Sequence, residues 1–319
     1  MKYSRIIGTG GYLPDQVITN EDLAKIVDTS NEWIIERTGI KRRHIMSREE
    51  TTTSMAEIAA RRAIESSGID KNEIQIVIVA TCTPQLFFPS TGSSLQHLLG
   101  ISSTSCPAFD INVACSGFIY ALSIADKYIR CGAIKTALIV GADSLTRLVD
   151  WSDRSTCILF SDGAGAVVLK ADTSPGVYST HLHTDGSYGE LLYVSGDIYN
   201  PSSRQYIKMQ GNAVFKVAVT KLGEVVEESL KFNNVNKADI DWLIPHQANL
   251  RIIEATAKRL ELPMDKVILT VDDQGNTSAA SIPLALDIGV RDNRVKSGDL
   301  LLLEAFSAGF SWGAALVRY

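Results

Sequence analysis

The sequence predicts an α/β protein built from two similar halves, each with buried parallel strands. The first supporting observation is a set of continuous apolar runs, such as IQIVIVA at residues 74–80, which follow amphipathic helix patterns. Runs of this length are typical of strands buried on both faces of a sheet. The second observation is that the same helix-then-strand order returns later in the chain. Two such halves imply two sheets packed through a shared layer of helices.

The two halves match in sequence as well as in order. Residues 71–82 read KNEIQIVIVATC and residues 237–247 read KADIDWLIPHQ, while both halves close on a glycine-rich strand pair. Matches that keep their order along the chain indicate an internal duplication. The same spacing in sequence separates Ile74 from Ile240 and Gly132 from Gly298.

The first half begins with a predicted strand at residues 4–8. The glycines that follow do not match a dinucleotide-binding fingerprint, because their spacing differs and no helix follows directly. Asn20 is expected to cap a helix that runs to about Val27. The other predicted elements of this half are a helix within residues 28–40, a helix at 53–67, the strand at 74–80, a helix at 116–130 and a strand at 136–140.

The halves are predicted to span residues 1–173 and 174–319. The segment from Thr173 to Met209 is rich in Gly, Ser, Asp and Tyr, which indicates a boundary and loop region. The helix that follows Cys115 and its counterpart near residues 277–288 are expected to form the shared central layer. Cys115 and Asn276 would then meet where the halves join.

Composition narrows the possible functions. With 45% hydrophobic and 21% charged residues the chain is typical of a globular protein, and a formal net charge of −5 argues against nucleic-acid binding. An acidic partner would need a local basic patch. The five cysteines form no CxxC pair, and neither a signal peptide nor a membrane-spanning apolar run of roughly 18 residues is evident. A cytoplasmic protein with reduced thiols is therefore expected.

Cys115 is the candidate nucleophile. It lies in the stretch DINVACSGF at residues 110–118, where an apolar run ends and a helical pattern begins. A thiol at the first turn of a helix is expected to favour the thiolate, which is the reactive form. The alternative is that Cys115 only fills space, as most buried cysteines do.

His246 and Asn276 are the candidate partners of that cysteine. His246 follows an apolar strand, at the strand end where α/β sheets place their sites, and Asn276 opens the second central helix. Each has an ordinary alternative, since such a histidine can be a structural hydrogen-bonding group and such an asparagine a turn residue. At mirrored places in a duplicated fold the three indicate a Cys-His-Asn site. His181 and His183 with Asp185 offer too few ligands for a zinc site, so no metal is expected.

Four motifs carry a resemblance to a known family. DINVACSGF, IPHQANLRII, GNTSAAS and NEWIIERTGI look like those of β-ketoacyl-[acyl-carrier-protein] synthase III of the thiolase superfamily, and the similarity covers essentially the whole chain. The resemblance implies a five-layer αβαβα fold, a homodimer and the first condensation of type II fatty acid synthesis. In that reaction an acyl group from acyl-CoA, with acetyl-CoA the expected primer, moves to the cysteine, and malonyl-[acyl-carrier-protein] loses CO2 and attacks it. No cofactor is implied, because the thioester itself delocalises the carbanion.

The resemblance also assigns roles by position. The thioester forms on Cys115, backbone N–H groups of Cys115 and Ala308 are expected to form the oxyanion hole, and His246 and Asn276 would donate to the malonyl thioester oxygen. Trp33 and Arg154 would sandwich the CoA adenine with Arg37 near a phosphate, although Trp33 could instead be core and the arginines surface charges. The remaining assignments are Phe215 and Asn249 for the pantetheine tunnel, Lys216, Gln247, Arg251, Lys258 and Arg259 for the carrier protein, and Phe88, with Phe87 as the other candidate, for the partner's acyl pocket.

One departure from the family affects these expectations. The family usually has a glycine-rich turn before the last Phe, whereas this chain has Ser307, Ala308 and Gly309. The backbone N–H donors of the turn are retained in this chain, but the Cβ atoms of Ser307 and Ala308 are expected to narrow the turn. The alternatives are a related Cys-His-Asn condensing enzyme of polyketide, quinolone or long-chain ketone synthesis, a non-catalytic synthase partner subunit, and, more weakly, a cysteine hydrolase.

Overall fold

The computed structural model describes residues 2–101, 104–196, 200 and 202–319. Its helices and strands follow each other along the chain in two series. The first series is β1 (Tyr3–Tyr12), β2 (Val17–Thr19), α1 (Asn20–Leu23), α2 (Asn31–Thr38), β3 (Arg42–His44), α3 (Thr52–Ser67), β4 (Val77–Ala80), α4 (Thr91–Leu98), β5 (Ala108–Ile111), α5 (Gly117–Arg130), β6 (Thr136–Ser144), α6 (Arg154–Cys157) and β7 (Asp162–Asp172). The second is β8 (Val177–Thr184), β9 (Leu192–Val194), β10 (Ile207–Met209), α7 (Gly211–Asn233), β11 (Trp242–Pro245), α8 (Leu250–Arg259), α9 (Val271–Gln274), α10 (Ser281–Arg291), β12 (Leu300–Ser307) and β13 (Ser311–Arg318).

The two large sheets have the same topology, which confirms the predicted duplication. The first sheet has the order β1-β7-β6-β4-β5, and the second has the order β8-β13-β12-β11. In both, the first three strands pair antiparallel and the next pair is parallel. The first sheet ends with β5 parallel to β4, and the second ends with a parallel bridge between Leu243 and Val267.

The helices form three layers around these sheets. Helices α3 and α4 pack on the outer face of the first sheet, and α7, with α8 beside it, covers the outer face of the second. Helix α5 lies between the sheets and contacts strands of both, while α10 packs on β1, β7 and β11. The side chains of both helices belong to one buried apolar cluster. The layers therefore follow the predicted αβαβα order.

The boundaries of several elements differ from the predictions. Strand β1 continues to Tyr12 rather than ending at residue 8. Thr19, not Asn20, caps helix α1, which ends at Leu23 rather than near Val27. Asn20 does not serve as the cap because its buried side-chain oxygen accepts from Arg43, while its amide nitrogen donates to the carbonyl of Ile40 at 2.9 Å. Local capping signals did not reveal this long-range contact.

The predicted division at residues 173 and 174 remains a prediction. Every strand of the first sheet lies before it and every strand of the second lies after it. In the described part of the chain, none of the helices is both long enough and apolar enough to span a membrane.

The central layer approaches the first sheet very closely at Gly141 of β6. A Cβ atom at this position would lie 2.1 Å from the carbonyl oxygen of Ala279, just before α10. The backbone of Ala279 could make room for such a Cβ only if the whole turn before α10 moved. Gly141 therefore sets the distance between the second half and the first sheet.

We expect Gly141→Ala to lower the free energy of unfolding by about 2 kcal/mol, because overpacking a close-packed interior costs about 1–3 kcal/mol. The measurement is urea denaturation. Gly186→Ala is the matched control, since nothing lies within 4 Å of a Cβ at that exposed glycine. Equal stability of the two variants would contradict the prediction.

Candidate active site

Cys115 lies in a 3₁₀ turn, Ala114–Ser116, between β5 and α5. Ala114 has a φ of 42°, a left-handed conformation that costs a residue other than glycine about 1–3 kcal/mol and persists only where surrounding contacts impose it. Helix α5 begins at Gly117, two residues after the cysteine. The thiol is thus held on a sharp strand-to-helix turn rather than inside the helix.

The environment of Cys115 favours the protonated thiol. Burial raises its pKa to about 12, the Ser278 hydroxyl lowers it, and the negative charge of Asp143 raises it further. The expectation that the helix N terminus would favour a thiolate was wrong in direction. The loss of hydration destabilises a buried thiolate more than the nearby backbone dipoles stabilise it.

Asn276 is held by its backbone and by one side of its amide. Its N–H donates to Leu159 O at 3.0 Å, and its carbonyl accepts from Ser161 N at 2.9 Å. Its side-chain Oδ1 accepts the N–H of Ser278 at 2.9 Å. The amide Nδ2 is therefore the group left to donate to a substrate.

His246 is buried and neutral. It follows β11, and its backbone N–H donates to Glu304 O at 2.8 Å. Burial lowers the pKa of its imidazole to about 4. Ser281 Oγ lies 2.6 Å from His246 Nδ1 and also accepts the N–H of Gln247 at 3.3 Å.

That arrangement suits one tautomer of His246. The Ser281 oxygen accepts the N–H of Gln247 and can donate its own hydroxyl proton to Nδ1. An imidazole that accepts at Nδ1 carries its proton on Nε2. In this tautomer His246 is a neutral Nε2–H donor.

The segment Asn276–Ser281 brings the three predicted residues together. It contains Asn276, it affects the thiol of Cys115 through Ser278, and it contacts the imidazole of His246 through Ser281. Ser278 Oγ is buried with no well-aligned hydrogen-bond partner among the described residues. Ser278 and Ser281 stand in the GNTSAAS motif, but their roles depend on long-range contacts.

The turn that contains Ala308 shows how this chain can do without the glycine-rich turn that is usual in the family. Ser307 ends strand β12, and only Gly309 has a left-handed φ, of 138°. Within the described residues the N–H of the half-buried Ala308 has no acceptor, so it is available to a substrate oxygen. One glycine therefore suffices for this turn.

Trp33 and two arginines form a stacked cluster at the surface. The guanidinium carbon of Arg154 lies 4.5 Å from the centre of the Trp33 ring, and that of Arg37 lies 4.9 Å away. Arg154 also donates to Asp28 O at 2.7 Å. A ring sandwiched between Trp33 and Arg154 needs about 7 Å, so Arg154 must move to admit one.

Most of the predicted tunnel and carrier residues lie together on α7 and α8. The Arg251 guanidinium lies 5.5 Å from the centre of the half-buried Phe215 ring, next to the exposed Lys216. Asn249 caps α8 and donates to Arg37 O at 3.0 Å. Lys258 is exposed, and Arg259 pairs with Glu227 at 3.0 Å.

Gln247 is the exception and corrects one assignment. Only 1% of its surface is exposed. Its Nε2 donates to Pro245 O and Ile268 O, and its Oε1 accepts from Thr270 N and Val271 N. All of its side-chain polar atoms are used inside the protein, so it does not face a carrier protein.

The other candidates lie away from this centre. Phe87 and Phe88 are 81% and 86% exposed, so the structure does not distinguish the two. His181 and His183 both contact Glu228, at 3.0 and 2.6 Å, rather than Asp185. In the described ranges no group of three or more metal-ligating side chains occurs.

The lowered pKa of His246 predicts a pH-dependent stability. Below pH 6.5 the unfolded chain protonates this histidine and the folded chain does not until about pH 4, so its contribution is full above pH 6.5 and declines as the pH falls. At about 1.4 kcal/mol per pH unit, the stability difference between the wild type and His246→Gln should fall by about 2 kcal/mol from pH 6.5 to 5. Urea denaturation measures it, with the exposed His97→Gln as control. A difference that does not change with pH would contradict the neutral buried imidazole.

Two family models match the chain. The model for 3-oxoacyl-[acyl-carrier-protein (ACP)] synthase III covers residues 109–186, and its C-terminal model covers residues 230–319. A β-ketoacyl-[acyl-carrier-protein] synthase III from Methylococcus capsulatus is 58% identical over an alignment of 321 positions, which covers 100% of this chain and 99% of that protein. The enzyme of the same name from Salmonella arizonae is 57% identical and covers 99% of this chain and 100% of its own.

Solved structures agree with these matches. The crystal structure of 3-oxoacyl-[acyl-carrier-protein] synthase III from Aquifex aeolicus has a TM-score of 0.94 and 48% identity, covering 99% of this chain and 100% of that one. A priming β-ketosynthase of a polyketide pathway has a TM-score of 0.95 and 36% identity, covering 99% and 96%. Because relatives at 57–58% identity are named β-ketoacyl-[acyl-carrier-protein] synthase III, the polyketide, ketone and partner-subunit alternatives are not favoured. The chain belongs to the β-ketoacyl-[acyl-carrier-protein] synthase III family, condensing acyltransferases that begin fatty acid synthesis.

Proposed function

We propose that this enzyme transfers an acyl group from acyl-CoA to Cys115 and condenses it with malonyl-[acyl-carrier-protein]. The products are 3-oxoacyl-[acyl-carrier-protein], CO2 and CoA. The observation that carries the proposal is that the short segment beginning at Asn276 reaches both other residues: Ser278, hydrogen-bonded to Asn276, acts on the Cys115 thiol, and Ser281 contacts His246. This supports a site in which a thiol acts together with two neutral hydrogen-bond donors.

In the loading step, Cys115 Sγ attacks the acyl-CoA carbonyl. The Sγ–carbonyl bond forms, the bond from that carbonyl to the CoA sulfur breaks, and the thiol proton ends on the CoA thiol. Since burial raises the pKa of Cys115, the proton leaves as the attack proceeds rather than beforehand. The N–H groups of Cys115 and Ala308 would stabilise the tetrahedral oxyanion.

In the condensation step, His246 Nε2–H and Asn276 Nδ2–H would donate to the malonyl thioester oxygen. Negative charge accumulates on that oxygen as the carbon–carbon bond to CO2 breaks, and the resulting carbanion attacks the acyl-Cys115 carbonyl. The bond from that carbonyl to Cys115 Sγ then breaks, and the released sulfur takes up a proton from solvent to restore the thiol. Preorganised donors of this kind are worth about 3 kcal/mol each. The proposed steps use no metal or redox cofactor, because the thioester carries the charge.

Substrate binding follows from the surface residues. Trp33 and Arg154 would hold the CoA adenine once Arg154 moves away from the indole, with Arg37 near a phosphate. Phe215 and Asn249 would border the pantetheine. The exposed cations Lys216, Arg251, Lys258 and Arg259 would attract an acidic carrier protein although the whole chain carries a charge of −5.

We also propose a cytoplasmic homodimer. The exposed side chains of Leu86, Phe87 and Phe88 form an apolar projection, which a partner subunit would cover and use to shape its acyl pocket. The halves of each subunit would divide at residues 173 and 174.

Intact-protein mass spectrometry with a panel of acyl-CoAs tests the proposed function. We expect a covalent acyl adduct on the wild type, strongest with acetyl-CoA, and none on Cys115→Ser, because only Cys115 is the nucleophile. Cys82→Ser is the matched control, since the charge of Cys115 acts on this neighbouring thiol. Loss of the adduct in the control alone, or no adduct with any acyl-CoA, would contradict the proposal.

Ser281→Ala tests the tautomer of His246. Without the hydroxyl, the ring proton of His246 can sit on Nδ1 instead of Nε2. The rate at which acylated enzyme reacts with malonyl-[acyl-carrier-protein] should therefore fall about 10–100-fold, as is typical when an orienting partner is lost. Rapid-quench kinetics measures that rate. In a His246→Ala background the same change should have no further effect. A full additional loss there would show that Ser281 does not act through His246.

A further inference from the structure

We propose that Ser116 and Ser307 are positioning residues that hold the oxyanion hole together by binding one shared carbonyl, that of Ser311. The inference rests on the proposed function and adds residues to the same site. The two expected oxyanion donors, Cys115 N–H and Ala308 N–H, come from different halves of the chain. Each serine is the sequence neighbour of one of these donors.

The contacts of the two hydroxyls are short and buried. Ser116 Oγ donates to Ser311 O at 2.9 Å, and Ser307 Oγ donates to the same oxygen at 3.0 Å. Ser307 Oγ also lies 3.2 Å from Ala308 O. The two serines are 0% and 1% exposed. A carbonyl oxygen has two lone pairs and can accept both hydroxyls.

The shared carbonyl belongs to a residue that is itself fixed. Ser311 Oγ lies 2.9 Å from Thr184 Oγ1, which in turn lies 3.1 Å from Tyr120 OH on α5. Tyr120 stands one helical turn after Ser116. The 3₁₀ turn that contains Ser116 and the first turn of α5, which contains Tyr120, therefore both bind strands of the second sheet.

The other contacts of the turn do not fix Ala308, so its position depends on the hydrogen bonds of the two serines. Phe310 exchanges two backbone hydrogen bonds with Asp185, at 2.8 and 2.9 Å, which fixes the far side of the turn. Between these anchors, Gly309 is the permissive residue. The Ser307 hydroxyl restrains the near side, next to Ala308, and the Ser116 hydroxyl ties that turn to the cysteine.

The arrangement has a specific consequence for catalysis. An oxyanion hole works only when both donors are aimed at the oxyanion before the reaction. Covalent structure does not fix the distance between Cys115 N and Ala308 N, since they lie in separate halves. The hydroxyls of Ser116 and Ser307 bind one oxygen, that of Ser311, and so tie the residues next to both donors to the same point.

The experiment compares two reactions of the Cys115 thiol. Acylation by acetyl-CoA and by p-nitrophenyl acetate passes through an oxyanion, whereas alkylation by iodoacetamide does not. The variants are Ser116→Ala, Ser307→Ala and the double change, followed by rapid-quench intact mass spectrometry. Ser123→Ala is the matched control, because Ser123 is a buried serine of α5 that binds Thr180 of the second sheet at 2.7 Å, away from the turn.

We expect each single variant to acylate about 5–10-fold more slowly and the double variant about 100-fold more slowly, approaching the loss of one oxyanion donor. Alkylation should change by less than about twofold in all of them, because displacement at carbon creates no oxyanion. Ser123→Ala should leave both reactions unchanged. The single variants keep the test valid if the double variant does not fold.

Two results would overturn the inference. One is unchanged acylation in both single variants, and the other is an equal fall of acylation and alkylation, which would mean that the hydroxyls shape the thiol rather than the oxyanion hole. Failure of the proposed function has a different signature: the wild type would react with p-nitrophenyl acetate but with no acyl-CoA. In that case the ester and iodoacetamide still test the two serines.

Discussion

The structure depends on one close approach, between the turn that holds Cys115 and the turn at Ser278–Ala280 before α10. Gly141 allows the second turn to lie against the first sheet. Asp143, at the end of the same strand, then binds both halves. One of its oxygens accepts Cys82 N and the hydroxyls of Thr81 and Thr83, and the other accepts Ala279 N at 3.3 Å. A buried carboxylate so placed is stabilised only when both halves are in position.

Burial determines the chemical character of the site. It raises the pKa of Cys115 to about 12 and lowers that of His246 to about 4, so both groups are neutral at physiological pH. A condensation that passes through a carbanion benefits from this, because neutral donors stabilise the developing charge and do not protonate the carbanion outright. Low local polarity also strengthens each hydrogen bond to that charge.

The surface cluster around Trp33 and the proposed site residue Asn276 are supported by the same buried side chain. The fully buried Arg43 donates to Ile158 O at 3.0 Å and to the side chain of Asn20, and burial lowers its pKa to about 10. Asn20 in turn donates to the side chain of Asn31 at the start of α2. In the segment after Ile158, Leu159 O accepts the N–H of Asn276, and the N–H of Ser161 donates to the Asn276 carbonyl. One buried guanidinium thus connects the helix that carries Trp33 to the segment that positions Asn276.

The sequence by itself determined the duplicated α/β fold and singled out Cys115, His246 and Asn276 as the residues proposed for the site. These follow from local apolar periodicity, from matched segments and from residue types that suit the chemistry. Only the tertiary structure decided the burial that raises the pKa of Cys115, the burial of Gln247, the true cap of α1, and the hydrogen bonds of Ser116, Ser281 and Ser307. Each of these depends on desolvation or on a hydrogen bond between residues far apart in the chain, and local sequence patterns contain no information about such distances.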